Sequence, residues 1–186
     1  MILGALKEQS NREKRIPLLP ASIKKMIDQG MTVYIEEGLG ESLFISDQSF
    51  RDNGAQIRSR SEILASADIL VRISKPALDD IKGIKSGTIH LSYLDPFNDP
   101  EILKQMTSQG LSAISLEMIP RTTLAQKMDV LSSQASLAGY YAVVLAASRI
   151  SKAFPMMMTP AGTIPPARVF VVGAGVAGLQ AIATAK

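Results

Sequence analysis

Ala167-Arg168-Val169-Phe170-Val171-Val172-Gly173-Ala174-Gly175-Val176-Ala177-Gly178-Leu179 is the stretch on which the reading of this chain turns. Residues 167–172 have the apolar, β-branched composition of a parallel strand buried on both faces, and residues 179–185 are helix-forming. Between them stands Gly-x-Gly-x-x-Gly, in the strand, turn and helix context that a dinucleotide-binding fingerprint requires. Gly173 would permit the tight turn, Gly175 the close approach of a pyrophosphate, and Gly178 the packing of helix on strand. Val176 and Ala177 open the helix, where free N–H groups and the macrodipole favour anions. By themselves the same glycines could serve only turn and packing. The acidic residue that would hold an adenosine ribose is expected about 20 residues further on, past Lys186, so the motif does not choose between NAD and NADP. A doubly wound domain also needs several more strands after its first βα unit. The chain therefore reads as a fragment that binds a dinucleotide weakly by itself.

Upstream of this motif, apolar runs recur at residues 2–6, 32–36, 69–73, 88–91 and 112–116, separated by polar, helix-compatible stretches. This alternation implies an α/β fold with a parallel sheet. Residues 20–29 form an intervening helix opened by Pro20 and stopped by Gly30, with Ile23, Met26 and Ile27 on one face. Residues 100–109 form a second, opened by Pro100 and closed by Gly110. From Ser132 to about Lys152 a long helix with a lean alanine surface (Ala135, Ala138, Ala142, Ala146, Ala147) is expected to join two domains. Residues 154–166 are rich in proline and should be irregular. The expected division is an N-terminal α/β domain at 1–130, a linker helix at 131–153, and the start of a Rossmann NAD-binding domain at 154–186.

Composition narrows the chemistry. The 186 residues are 46% apolar with a net charge of +3, enough for real cores and too balanced for a nucleic-acid footprint. The chain has no cysteine and one histidine, His90. Disulfides, cysteine nucleophiles and clustered Cys/His metal sites are thereby excluded, and no metal is expected. His90 falls in an expected strand and reads as a satisfied structural residue. Met156-Met157-Met158 reads as packing. Residues 1–7 lack the layout of a signal peptide. Residues 169–185 approach the length of a membrane span, but Gly173, Gly175, Gly178, Gln180 and Thr184 argue for a buried strand and helix. No transmembrane segment is expected.

Three stretches together resemble the NAD(P) transhydrogenase α-subunit family and the related alanine dehydrogenases, over essentially the whole chain. The first is Gly4-Ala5-Leu6-Lys7-Glu8 with Asn11, Glu13, Arg15 and Pro20, which is similar to the opening of both families. The second, Pro120-Arg121-Thr122-Thr123-Leu124-Ala125-Gln126-Lys127-Met128-Asp129-Val130-Leu131-Ser132-Ser133 continuing into Ala138-Gly139-Tyr140, resembles the transhydrogenase loop in which an arginine, a glutamine and an aspartate approach the nicotinamide. The resemblance implies these are Arg121, Gln126 and Asp129, with Lys127, Met128 and Ser132 also in the cofactor site. The third runs from Pro160 to Arg168 and into the glycine motif, and is similar to the entry of the NAD domain.

Alanine dehydrogenases use a histidine acid/base and an arginine–lysine pair. Arg15 matches the arginine, but the histidine position falls on Asp95 and the lysine position on Ser74. Lys75 is one residue off, which in a strand turns a side chain to the other face. Alanine dehydrogenase, and a non-catalytic dimerising fragment, remain the alternatives. The resemblance implies an NAD(H)-binding subunit that passes hydride from NADH to NADP(H) held on a partner component, coupled to proton translocation. It further implies a homodimer, membrane-spanning partner components, and a cytoplasmic location peripheral to the inner membrane. Direct hydride transfer between nicotinamides exchanges no substrate proton, so it requires positioning rather than a general acid or base. Without the resemblance, Arg121–Asp129 would read as a surface loop whose Asp129 or Ser132 caps the next helix.

Overall fold

The computed structural model describes residues 1–10 and 12–186; Asn11 lies outside the described residues. The chain forms two compact units, Met1–Ile119 and Pro120–Lys186.

In the first unit the apolar runs become strands of one parallel sheet. These are β1 (Ile2–Ala5), β2 (Thr32–Glu36), β4 (Ile69–Val71), β5 (Ile89–Ser92) and β6 (Ser112–Ser115), joined by a strand that the apolar pattern does not show, β3 (Gln56–Arg58). The order is β3-β2-β1-β4-β5-β6 with every neighbouring pair parallel. The α/β class expected from the alternation is thus the one observed, and the reversal of strand order between β1 and β4 makes a topological switch point. β3 escapes the pattern because it is a three-residue edge strand, Gln-Ile-Arg, exposed at both ends.

Helices α1 (Pro20–Asp28), α2 (Asp47–Asp52), α3 (Arg60–Ser66), α4 (Leu78–Gly83) and α5 (Pro100–Ser108) connect the strands. Pro20 and Pro100 open α1 and α5 where a missing N–H is harmless. Ser59 and Glu62 close a reciprocal capping box on α3. Ile23, Val33, Ile35 and Phe50 build the core on one side of the sheet, and Leu6, Ile63, Leu70 and Ile84 a second core. Arg60 ties the sheet's carboxyl end to α4, meeting Glu36 at 2.8 Å and Asp80 at 2.6 Å, while Arg72 reaches the same Asp80 at 2.9 Å.

His90 departs from the satisfied residue expected. It is 0% exposed in β5, between Leu70 and Ala113, and neither ring nitrogen has a hydrogen-bond partner among the described residues. Burial, reinforced by the Arg72 charge and only partly offset by Asp80, pushes its pKa down to about 4. The imidazole is neutral.

The second unit holds α6 (Val130–Arg149), β7 (Met157–Thr159), β8 (Gly162–Ile164) and α7 (Val176–Ala185). Two expectations are corrected here. Residues 154–166 are not irregular throughout, because Met157↔Ile164 and Thr159↔Gly162 pair as an antiparallel hairpin. The prolines flank its strands, and Pro160 sits in the turn, where its missing N–H interrupts no ladder. Residues 167–172 are not a buried strand: they pair with no strand among the described residues, and Phe170 is 91% and Val172 89% exposed. Strand composition cannot create a strand without a neighbour to receive its N–H and C=O groups. The helix that follows does form. By length and composition alone, α6, with a mean hydropathy of 1.3, could cross a membrane. In this unit Gly139 and Val143 are its buried residues, and it packs along α7.

Candidate functional site

The first unit carries a switch point, yet its own side chains bridge it. Glu8, just beyond β1, accepts hydrogen bonds from the backbone N–H of Ile73 (2.7 Å) and Ser74 (3.2 Å) beyond β4. That carboxylate spans the crevice where open α/β sheets ordinarily take ligands. Arg15 lines a nearby cavity of about 300 Å³ with Lys7, Glu8 and Glu13, but its guanidinium is held by Glu13 (2.9 and 2.7 Å) and lies over the Tyr93 ring. Lys75 pairs with Asp99. Asp95 takes a left-handed backbone (φ 53°), and its N–H donates to Glu117. No metal-binding cluster of His, Asp or Glu exists among the described residues.

The second unit gathers the glycine motif and the Arg121–Ser132 segment. Gly173 turns the chain at φ 104°, a conformation glycine alone adopts without strain. Gly175 then takes the N-cap position of the ten-residue α7, with no side-chain cap and no acidic residue in the first turn. The leading N–H groups of α7 have no intrahelical partner, and nothing lies within 4 Å of where a Cβ on Gly175 would stand. A side chain at Gly175 would fill that open approach to the helix end. The residues fit a pyrophosphate.

Opposite lies a 3₁₀ turn, Gln126–Met128, followed by Asp129 at the N-cap of α6. Asp129 Oδ1 accepts from the Ser132 N–H (2.9 Å) and Oδ2 from the Ser132 hydroxyl (2.6 Å). Those two hydrogen bonds, the hydroxyl's foremost and with Arg121 adding its charge, hold the Asp129 carboxyl below the usual carboxylate range. Asp129 is therefore an ionised helix cap, a role that a capping aspartate takes in any protein.

Two cavities open on these groups. One of about 320 Å³ is lined by Arg121, Ser132, Ala135 and, from the glycine motif, Val172, Gly173 and Gly175 through Gly178. The other, of about 270 Å³, is lined by Arg121, Thr122, Thr123, Gln126, Asp129, Ser132 and Val176. Arg121, Ser132 and Val176 belong to both. Of the residues named from sequence, Lys127 and Met128 line neither; Met128 is 58% exposed. Thr122, Thr123 and Ala135 were not singled out from sequence. Helical spacing was the available signal for Ala135, which lies three residues past Ser132 on the same face.

Chemically, the first cavity offers backbone donors at a helix N-terminus beside a guanidinium, suited to phosphate. The second offers a guanidinium, an amide and two hydroxyls, suited to a neutral polar group such as a carboxamide.

Known proteins share this sequence and this architecture. The family model for the alanine dehydrogenase/PNT N-terminal domain matches residues 4–138, and the model for the C-terminal domain matches residues 142–186. The chain is 41% identical to an NAD(P) transhydrogenase subunit alpha of Rhodospirillum rubrum over 192 residues, covering 100% of this chain and 50% of that protein. The crystal structure of transhydrogenase from Sinorhizobium meliloti superposes with a TM-score of 0.95 at 43% identity, covering 100% of this chain and 55% of that one. Alanine dehydrogenase of Methanococcus maripaludis is 26% identical over 185 residues, covering 97% of this chain and 49% of its own length. The chain spans about half the length of the curated relatives it matches. Carried by a family match over most of its length, the chain belongs to the alanine dehydrogenase/PNT family.

Proposed function

We propose that this chain supplies part of the NAD(H) site of a proton-translocating NAD(P) transhydrogenase. The observation that carries the reading is the meeting, within residues 120–186, of the glycine turn and the Arg121–Ser132 segment on cavities that share Arg121, Ser132 and Val176. The backbone N–H groups of Val176, Ala177 and Gly178 receive the pyrophosphate. Arg121, Gln126 and Asp129 orient the nicotinamide end, with Ser132 fixing the Asp129 carboxylate. When bound, NADH donates a hydride from its nicotinamide to that of NADP⁺, giving NAD⁺ and NADPH. The chain's residues hold the ring in place and move no proton, which agrees with a site that contains no histidine and no carboxylate raised above its ordinary pKa.

The higher identity to transhydrogenase relatives than to the alanine dehydrogenase supports the choice within the family. So does the first unit, where Ser74 and Asp95 replace the lysine and histidine an amino-acid substrate would need. The proposal includes NADP(H) on a partner component, a homodimer, and attachment to membrane-spanning components at the cytoplasmic side of the inner membrane. It also includes a division into an N-terminal domain, a linker helix over 131–153, and an NAD domain opening at 154. Transhydrogenation between NADH and the thionicotinamide analogue of NADP, measured on the full-length polypeptide with its partner components, tests the reading. Absence of exchange together with alanine-dependent NAD reduction would overturn it.

A further inference from the structure

Glycine weakens a helix interior relative to alanine, yet Gly139 sits buried in the middle of the twenty-residue α6. The reason is steric. A Cβ at Gly139 would stand 2.2 Å from the Ala177 carbonyl oxygen, 3.0 Å from its carbonyl carbon and 3.1 Å from its Cα, all backbone atoms in the first turn of α7. The next residue repeats the contact, because a Cβ at Gly178 would lie 2.0 Å from the Gly173 carbonyl oxygen. The α6 backbone, the first turn of α7 and the glycine turn are thus stacked with no side chain between them. Nearby, the Ser136 hydroxyl donates to Gln180 at 3.4 Å, and Gln180 donates to Thr184 at 3.1 Å, which gives the two helices a fixed register. Ser132 and Ala135, on the same side of α6, line the cavity before the glycine turn.

We propose that Gly139 is a positioning residue: its seam with α7, which includes the Ser136–Gln180 bond, sets the distance between the phosphate-receiving end of α7 and the Arg121–Asp129 edge at the start of α6. This rests on the NAD(H) reading given above. A methyl group at position 139 meets backbone, which no rotamer change can move aside, so α7 must shift from α6 by about 1 Å, a displacement sufficient to lower a positioned reaction on the order of a hundredfold. Gly173 and the first turn of α7 move together as one body, so the phosphate site itself survives the shift.

The test uses the full-length polypeptide with its partner components, comparing wild type, Gly139→Ala, Ser136→Ala and the control Gly83→Ala, whose nearest contact would be an ordinary 3.5 Å. Hydride exchange from NADH to the thionicotinamide analogue of NADP is measured beside calorimetric affinity for ADP-ribose, which needs the phosphate site and not the nicotinamide edge. The expected result for Gly139→Ala is a fall in kcat of tenfold or more with ADP-ribose affinity within threefold of wild type and Gly83→Ala unaffected. Unchanged kcat, or equal losses of kcat and ADP-ribose affinity, overturns the proposal. Should Gly139→Ala not fold, Ser136→Ala decides: a severalfold lower kcat with ADP-ribose affinity kept supports the seam, and unchanged exchange refutes it. A wild-type protein without exchange brings down the functional reading itself, whereas a Gly139→Ala variant indistinguishable from an active wild type brings down only this inference.

Discussion

Gly178→Ala puts the phosphate-binding reading under direct strain. Its Cβ would stand 2.0 Å from the Gly173 carbonyl oxygen, whereas a carbon and a carbonyl oxygen in close contact lie about 3.3 Å apart. The overlap of about 1.3 Å is between backbone-fixed atoms. Relief therefore requires α7 to slide away from the turn, or Gly173 to leave its φ of 104°. Either movement takes the N–H groups of Val176 and Ala177 off the phosphate. A hydrogen bond to a charged group contributes about 1.5–3 kcal/mol, so losing one weakens NADH binding by roughly ten- to a hundredfold. Overpacking of this kind also destabilises by about 1–3 kcal/mol. Calorimetric titration of the full-length polypeptide with NADH, paired with its melting temperature, reads both quantities. A dissociation constant within twofold of wild type would refute the assignment of α7's N-terminus to phosphate, whatever the stability change.

Gln126→Ala should lower transhydrogenation by roughly ten- to a thousandfold, about 1.4–4 kcal/mol of barrier, while moving the melting temperature by only a few degrees; an unchanged rate removes Gln126 from the site. Asp129→Ala should lower both rate and melting temperature, because the carboxylate caps α6 as well as facing the cavity; a lower melting temperature with an intact rate would leave it a cap alone. His90 titrates at about 4 in the fold against about 6.5 unfolded. The unfolded chain therefore takes up the proton first, and His90's contribution, full above pH 6.5, is lost as pH falls towards 4. The loss is on the order of 3 kcal/mol. Comparing melting temperatures of wild type and His90→Asn between pH 4 and 7 checks this, and equal slopes would refute it. The full-length protein should not reduce NAD with L-alanine, since Glu8 holds the backbone at Ser74 and Lys75 is paired with Asp99; a spectrophotometric assay showing alanine-dependent turnover would contradict this.

Residues 32–36 became β2 with the boundaries read from their alternation, and Pro20 and Pro100 open the helices they were expected to open. Local pattern decides such elements, because burial of one face and the chemistry of a first turn are both written in neighbouring residues. Arg121, Gln126, Asp129, Ser132 and the three glycines were legible only as motif and likeness. Their arrangement around adjoining cavities depends on how α6 and α7 pack. Tertiary context also overrode composition at 167–172, where strand-forming residues have no strand to pair with, and at 157–164, where prolines bracket a hairpin they were expected to forbid. His90 reads in sequence as any strand residue, and only the packing around it leaves its ring nitrogens unpaired and its charge suppressed. Gly139 reads in sequence as a flaw in a helix. Only the approach of Ala177 to within 2.2 Å of its missing Cβ gives it a purpose, because close packing between elements distant along the chain is a property of three-dimensional contact that no local window of sequence contains.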